Sequence, residues 1–306
     1  MQCSKQTYFV EFNGKFVSLD SQVTAVSKNI EELFKNLLTK PEKSLLEINN
    51  CLIKDYVVEQ SDDVSVTVKQ ADQVVYVQTG GNAVEVANVL MNHIKLDLLS
   101  LIDDSLVLHA GLVSYLGESI LLPGNSGNGK SLMTLGLLSL GCQYHTDEVV
   151  LQNLSDDSLS VFVRPLMIKP HGLDAARSLI GSELDNLIIE GASMHSLPID
   201  ALQAFFAESL SSEKLSGQVA VKKPPPIACI VFPCYDAAST GELIPLTPAQ
   251  TMIQLFKNNV VARNLPDLGA MALKKLSMQA KAVKLNYAGY HQLPELFKEI
   301  QVIMRT

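Results

Sequence analysis

No run of basic residues in the 306-residue chain is longer than Lys222-Lys223. Nucleic acid and anionic membranes are held first by clustered positive charge. This chain carries 24 basic against 32 acidic residues, a net charge of −8, so neither is an expected partner. Long apolar runs are missing too: the run at residues 119–122 falls far short of the roughly 20 residues a membrane-spanning helix needs. Met1 to Ser4, followed by Lys5, carries no apolar signal segment. Cysteine is scarce and scattered, at Cys3, Cys51, Cys142, Cys229 and Cys234. No Cys-x-x-Cys stands with a second such pair or with histidines at zinc spacing, which excludes a zinc-finger pattern. The expectation is free, mostly buried thiols in a reducing compartment, and hence a soluble cytoplasmic protein. Charged residues are only 18 % of the chain and apolar residues 47 %, which excludes a disordered polymer and supplies a large core. The length is comfortable for two domains.

Within the first hundred residues the pattern is mixed. Residues 9–12, Asn13-Gly14 and residues 15–19 read as a hairpin, because Asn-Gly supplies the two positive-φ positions of a tight type I′ turn. Ile30, Leu33, Phe34, Leu37 and Leu38 recur at helical spacing. Val64, Val66 and Val68, then Val75 and Val77, alternate with polar residues as paired strands. After Gly80-Gly81, a helix carries Val86, Leu90, Ile94 and Leu98 on one face. Residues 1–100 therefore read as a small α+β module without recognisable chemistry.

From Leu106 short apolar strands alternate with helices, so residues 101–306 read as an α/β domain. Strands are expected at 106–108, 112–115 and 119–122, the last two turning at Leu116-Gly117. A helix over 130–140 stops at Gly141. A strand over 142–145 ends at Asp147-Glu148, and residues 149–153 and 159–163 resemble another hairpin. Residues 227–232 and 283–285 are further strands. Thr247-Pro248-Ala249-Gln250 is a capping box with proline at the first helical position, and a last helix covers 294–304. The serine-, lysine- and proline-rich stretch 209–226 reads as an exposed loop.

The chemistry concentrates after the strand at 119–122. Gly124, Asn125, Ser126, Gly127, Asn128, Gly129, Lys130 and Ser131 satisfy G-x-x-x-x-G-K-[ST] at every fixed position. Glycines let the backbone curl so that successive N–H groups point inward as an anion nest, and the following helix adds its positive end. Lys130 then supplies a point charge for the β- and γ-phosphates and Ser131 a hydroxyl for Mg²⁺. The alternative, a turn that merely joins strand to helix, has no use for a lysine and a serine at these places. The expected ligands are ATP and Mg²⁺.

Asp147-Glu148 follows the next strand, at the sheet edge where ligands gather in α/β domains. One carboxylate can bind the metal and the other accept a proton; the bland reading is a solvated turn. His109, just before Gly111, is by itself more often a packing or capping residue. Arg164 and Lys169 read equally well as phosphate or adenine clamps and as surface charges.

Taken together, His109-Ala110-Gly111, the glycine-rich segment from Gly124 to Ser131, Thr146-Asp147-Glu148 and the run Val163-Arg164-Pro165-Leu166-Met167-Ile168-Lys169 resemble the catalytic core of HPr kinase/phosphorylase, above all its HPr-kinase-related branch. The resemblance spans about residues 90–256 and extends to the core shared with ATP-dependent phosphoenolpyruvate carboxykinase. It implies an HPr-kinase-like P-loop fold and transfer of the γ-phosphoryl group to a hydroxyl, on serine or threonine of a peptide or protein. It further implies Asp147 as the acid/base carboxylate, Glu148 with Ser131 as metal ligands, His109 and Lys130 beside the phosphates, and a homo-oligomeric assembly. The chain departs from HPr kinases proper in having Asp-Glu for Asp-Asp and Leu132 for a glutamate after the loop serine. It also lacks their glycine-rich signature loop. HPr itself and the reverse phosphorolysis are therefore not implied. Two other functions are compatible with the residues. One is an ATP-binding regulator with little turnover. The other is a small-molecule kinase or carboxykinase-like enzyme, or a phosphohydrolase, for whose anionic substrate Arg164, Lys169 and Arg263 are the candidates.

Overall fold

The computed structural model describes residues 5–40, 52–60, 65–70, 72–79, 82–124, 129–191, 193–209 and 223–305. The chain is a mixed α/β protein that divides into two compact units. One comprises Met1–Ile102 with Ile189–Pro198, the other Asp103–Ile188 with Ile199–Thr306. Among the described residues no helix is long and apolar enough to cross a membrane. Most of the loop expected at 209–226 lies outside the described residues.

In the first unit, β1 (Gln6–Phe12) and β2 (Lys15–Ser21) form a hairpin in which Phe12 faces Lys15. Asn13 and Gly14 take φ values of 52° and 74°, the geometry that only such a turn sequence adopts cheaply. Helix α1 (Thr24–Leu33) is shorter than the apolar spacing predicts. The chain turns after Leu33, and Leu38 and Thr39 form β3 (Leu38–Thr39) against Val10 and Phe9. Phe34 and Leu37 stay buried in that turn, so the spacing records burial rather than a continuous helix. Then come β4 (Leu52–Gln60), β5 (Ser65–Gln70), β6 (Gln73–Thr79) and α2 (Ala83–Leu99). Among the described residues the sheet order is β3-β1-β2-β4-β5-β6. The Asn82 side chain accepts from the Glu85 N–H and caps α2, whose Val86, Leu90, Ile94 and Leu98 are fully buried.

The second unit runs β7 (Ser105–Tyr115), β8 (Glu118–Pro123), α3 (Lys130–Ser139), β9 (Gln143–Thr146), β10 (Val149–Asn153), β11 (Leu159–Phe162), β12 (Leu166–Ile168), α4 (Leu173–Ile180) and α5 (Leu184–Leu187). After β13 (His195–Leu197), which belongs to the first unit, follow α6 (Ile199–Ser209), β14 (Ile227–Tyr235), β15 (Glu242–Pro245), α7 (Pro248–Phe256), α8 (Ala270–Gln279), β16 (Lys281–Tyr287) and α9 (Leu293–Arg305). Its sheet has the order β11-β10-β7-β8-β14-β16-β15, with β9 also paired to β7. Strands β8, β14 and β16 are parallel neighbours. The capping box at Thr247 forms, with both of its reciprocal bonds. Cys142 and Cys229 are free and buried.

β7 corrects one expectation. The sequence separates strands at 106–108 and 112–115, yet the chain runs straight through His109-Ala110-Gly111. Leu106, Leu108, Ala110 and Leu112 face one core with Leu255, Leu273 and Leu276 of α7 and α8. The alternate face meets α3: a Cβ at Gly111 would lie 2.9 Å from Thr134 Oγ1. Gly111 therefore marks a close approach of helix to strand, not a break. Side chains alternate along a strand, so His109 points to the same face as Gly111, toward α3.

Candidate active site

β9 and β10 lie along the same edge of β7. Leu112 faces Thr146 and His109 faces Val149, so Asp147 and Glu148 occupy the interval opposite Gly111 and Ala110. The ladder loosens there, with a single Ala110 N–H to Glu148 carbonyl bond of 3.2 Å. This interruption turns both carboxylates toward the start of α3. Since β9 runs parallel to β8, the acidic pair and the glycine-rich segment share one edge of the sheet, the carboxyl ends of the parallel strands.

β8 ends at Pro123 and α3 begins at Lys130. Gly124, Gly129, Lys130 and Ser131 are described, whereas Asn125, Ser126, Gly127 and Asn128 lie outside the described residues. Gly129 stands before the first helical residue with φ 78°, and a Cβ there would lie 2.4 Å from the Tyr287 hydroxyl. The left-handed φ favours glycine, and a Cβ would force the Tyr287 hydroxyl to shift.

Lys130, only 7 % exposed, sends its ammonium to within 2.8 Å of His109 Nε2. His109 Nδ1 lies 2.9 Å from the Glu148 carbonyl oxygen. A carbonyl can only accept and an ammonium can only donate, so the two contacts fit the neutral His109 tautomer that carries its proton on Nδ1. Ser131 Oγ donates to Asp147 Oδ2 at 2.9 Å. The same carboxylate accepts from the Met167 N–H at 3.4 Å, and the Tyr144 hydroxyl stands 3.4 Å from it while donating to the Arg164 carbonyl at 2.9 Å. Asp147 is 1 % exposed. Burial holds the Tyr144 phenol well above its ordinary range, and the neighbouring Asp147 adds to this.

Arg164 completes the cluster. Its Nε lies 3.5 Å from Asp147 Oδ1, and its terminal nitrogen bonds Glu148 Oε2 at 2.5 Å. Burial opposes the guanidinium charge, but Glu148 and Asp147 outweigh it and hold the pKa above the ordinary value. The five singled-out side chains His109, Lys130, Ser131, Asp147 and Glu148 thus meet in one place. Arg164, legible only as a charge of undecided role, pairs with the acids. The sequence assigns no role to Tyr144, three residues before Asp147, or to the Met167 N–H, and gives no sign of Tyr287, which reaches the loop from a distant part of the chain. His145 faces elsewhere: it packs against Ser114 Oγ at 2.8 Å, and burial lowers its pKa to about 4. Among the described residues no hydrogen bond or ion pair ties His171 or Arg263 to the cluster. A separate cavity of about 600 Å³, lined by Leu154, Leu265, Met271 and Met278, holds none of the candidate residues.

Among the described residues no group of three or more His, Cys, Asp and Glu is placed to hold a metal ion. The donors that do converge, one hydroxyl and two carboxylates, are hard oxygens. Mg²⁺ keeps much of its water and is usually bound through one or two carboxylates plus substrate phosphates, so this donor set fits it.

No protein-family model and no curated protein matches the chain. Among solved structures, the Hpr(Ser) kinase/phosphatase from Coxiella burnetii aligns with 65 % of this chain and 99 % of its own, at 16 % identity and a TM-score of 0.31. That is a distant likeness of backbone, and the site geometry stands independently of it.

Proposed function

We propose that this edge of the second unit binds ATP with Mg²⁺ and transfers the γ-phosphoryl group to a hydroxyl of a peptide or protein. The observation that carries the reading is the Ser131–Asp147 hydrogen bond of 2.9 Å. A hydroxyl in the first turn of the helix after a glycine-rich loop, joined to a strand-end carboxylate, is the pair that P-loop enzymes use to hold their metal. Lys130 stands beside it as the charge for the β- and γ-phosphates, aimed by His109, which is itself fixed by the Glu148 carbonyl. Mg²⁺, when bound, would add positive charge against the phosphate oxygens. Arg164 pairs with both acids and fixes how they turn. Phosphoryl transfer asks little more of a protein than such positioning and charge.

The acidic pair admits two assignments. The family resemblance makes Asp147 the base and Glu148 the metal carboxylate. The hydrogen bonds favour the exchange. Asp147 is enclosed by Ser131, Met167, Tyr144 and Arg164 and behaves as a fixed anion beside the metal position. On that reading Glu148, next to the lysine–histidine pair, accepts the hydroxyl proton.

The test is to incubate the protein with ATP labelled at the γ-phosphate, Mg²⁺ and fractionated cell extract. A labelled peptide or protein is expected, lost on Lys130→Ala by about 100-fold or more. Label appearing only in a small molecule moves the acceptor to a metabolite. Tight ATP binding with no labelled product in any fraction replaces the kinase by an ATP-binding regulator.

A further inference from the structure

The strand order puts the acidic pair on one side of β8 and a cluster of tyrosines on the other. Tyr235 and Tyr287 are directly paired at the carboxyl ends of β14 and β16. Their rings meet edge to face, with centroids 5.8 Å apart and an interplanar angle of 76°. Tyr290 lies behind, its ring 5.5 Å from that of Tyr287 and its hydroxyl 3.4 Å from the Tyr287 hydroxyl. Tyr287 is buried, and its hydroxyl lies 2.4 Å from where a Cβ of Gly129 would be, so the cluster touches the glycine-rich segment itself. Tyr235, by contrast, is 61 % exposed.

A large aromatic ring left open at a sheet edge, yet buttressed by a buried neighbour, is a preformed stacking surface. Little rotamer freedom remains for a ligand to quench. β14 and β16 stand about 5 and 10 Å from β8 along the sheet. A nucleotide whose phosphates lie on the β8 loop, with the γ-phosphate toward Lys130 and Asp147, carries its ribose and base toward these strands.

We propose that Tyr235 is the stacking platform for the nucleobase of the bound nucleotide, held in place by Tyr287, which also seats the loop through Gly129. The inference rests on the phosphate-site reading above and adds to it the residue that grips the base. Stacking is tolerant of base identity, so ATP and GTP bind alike as far as Tyr235 is concerned.

The experiment compares ATP with inorganic tripolyphosphate, which has the phosphates but no base, by calorimetry in Mg²⁺. Wild type, Tyr235→Ala and Tyr235→Phe are titrated, with melting temperatures measured alongside. Wild type is expected to bind both ligands. Tyr235→Ala should raise the Kd for ATP by about 5- to 100-fold. It should leave tripolyphosphate within about twofold, and Tyr235→Phe should retain the wild-type ATP affinity. Equal ATP affinity in wild type and Tyr235→Ala, with tripolyphosphate still bound, overturns the tyrosine platform and leaves the phosphate site standing. Equal losses for both ligands in Tyr235→Ala also overturn the platform, because the residue then acts on the phosphates and not on the base. Wild type that binds neither ligand overturns the phosphate-site reading and the platform with it.

Discussion

Arg164 shows how much of this site depends on a single side chain. Removing its guanidinium takes an ion-pair partner from each of two buried carboxylates, and truncating one partner of such a group costs about 3–5 kcal/mol. Arg164→Met is therefore expected to lower unfolding stability in urea by an amount in that range. Arg164→Lys keeps the charge but not the fork that reaches both acids, and should fall between. A wild-type urea midpoint for Arg164→Met would show that the ion pairs are not maintained in solution. The acids are separated by a second contrast. With the exchanged assignment, Asp147→Asn weakens Mg²⁺-dependent ATP binding as well as turnover. Glu148→Gln binds nearly as well and loses transfer by about 10²- to 10⁴-fold. The opposite pattern in calorimetry and initial rates returns the base to Asp147. Most of these residue types could be singled out beforehand, because a lysine, a serine and two acids at those spacings have a chemistry in common. Which acid touches Ser131 could not, since adjacent residues on a loosened strand differ only in where each side chain turns.

At the level of elements, sequence patterns succeeded where one local rule dominates and failed where a distant element decides. The Asn13-Gly14 hairpin, the capped helix α7 and the strands β10 and β11 follow from their own residues. β7 does not, because Gly111 looks like a break until α3 is known to press Thr134 against it. The end of α1 is equally non-local: Leu38 leaves the helical pattern to pair with Val10. Two of the left-handed glycines give a quantitative test of this distinction. Gly14 has φ 74° and nothing within 4 Å of a built Cβ, while Gly129 has φ 78° and the Tyr287 hydroxyl at 2.4 Å. Gly14→Ala should lose only the cost of the conformation, about 1–2 kcal/mol. Gly129→Ala adds a steric conflict at the loop and should lose more, together with ATP affinity. Urea denaturation of both variants checks the order; equal losses would mean that Tyr287 moves aside freely.

For the whole molecule, the net charge of −8 opposes the approach of a highly charged anion such as ATP. Attraction must come from local donors, and beyond about 8 Å at physiological ionic strength the distant acids are screened. The second unit supplies those donors at one sheet edge, around a buried lysine. The most direct test of that arrangement is a calorimetric titration of wild type and Lys130→Ala with ATP in Mg²⁺, with melting temperatures measured on both proteins. The expected result is measurable binding by wild type and affinity at least about tenfold weaker in the variant, with a cooperative melt retained. Identical ATP affinity in the two folded proteins would contradict the account.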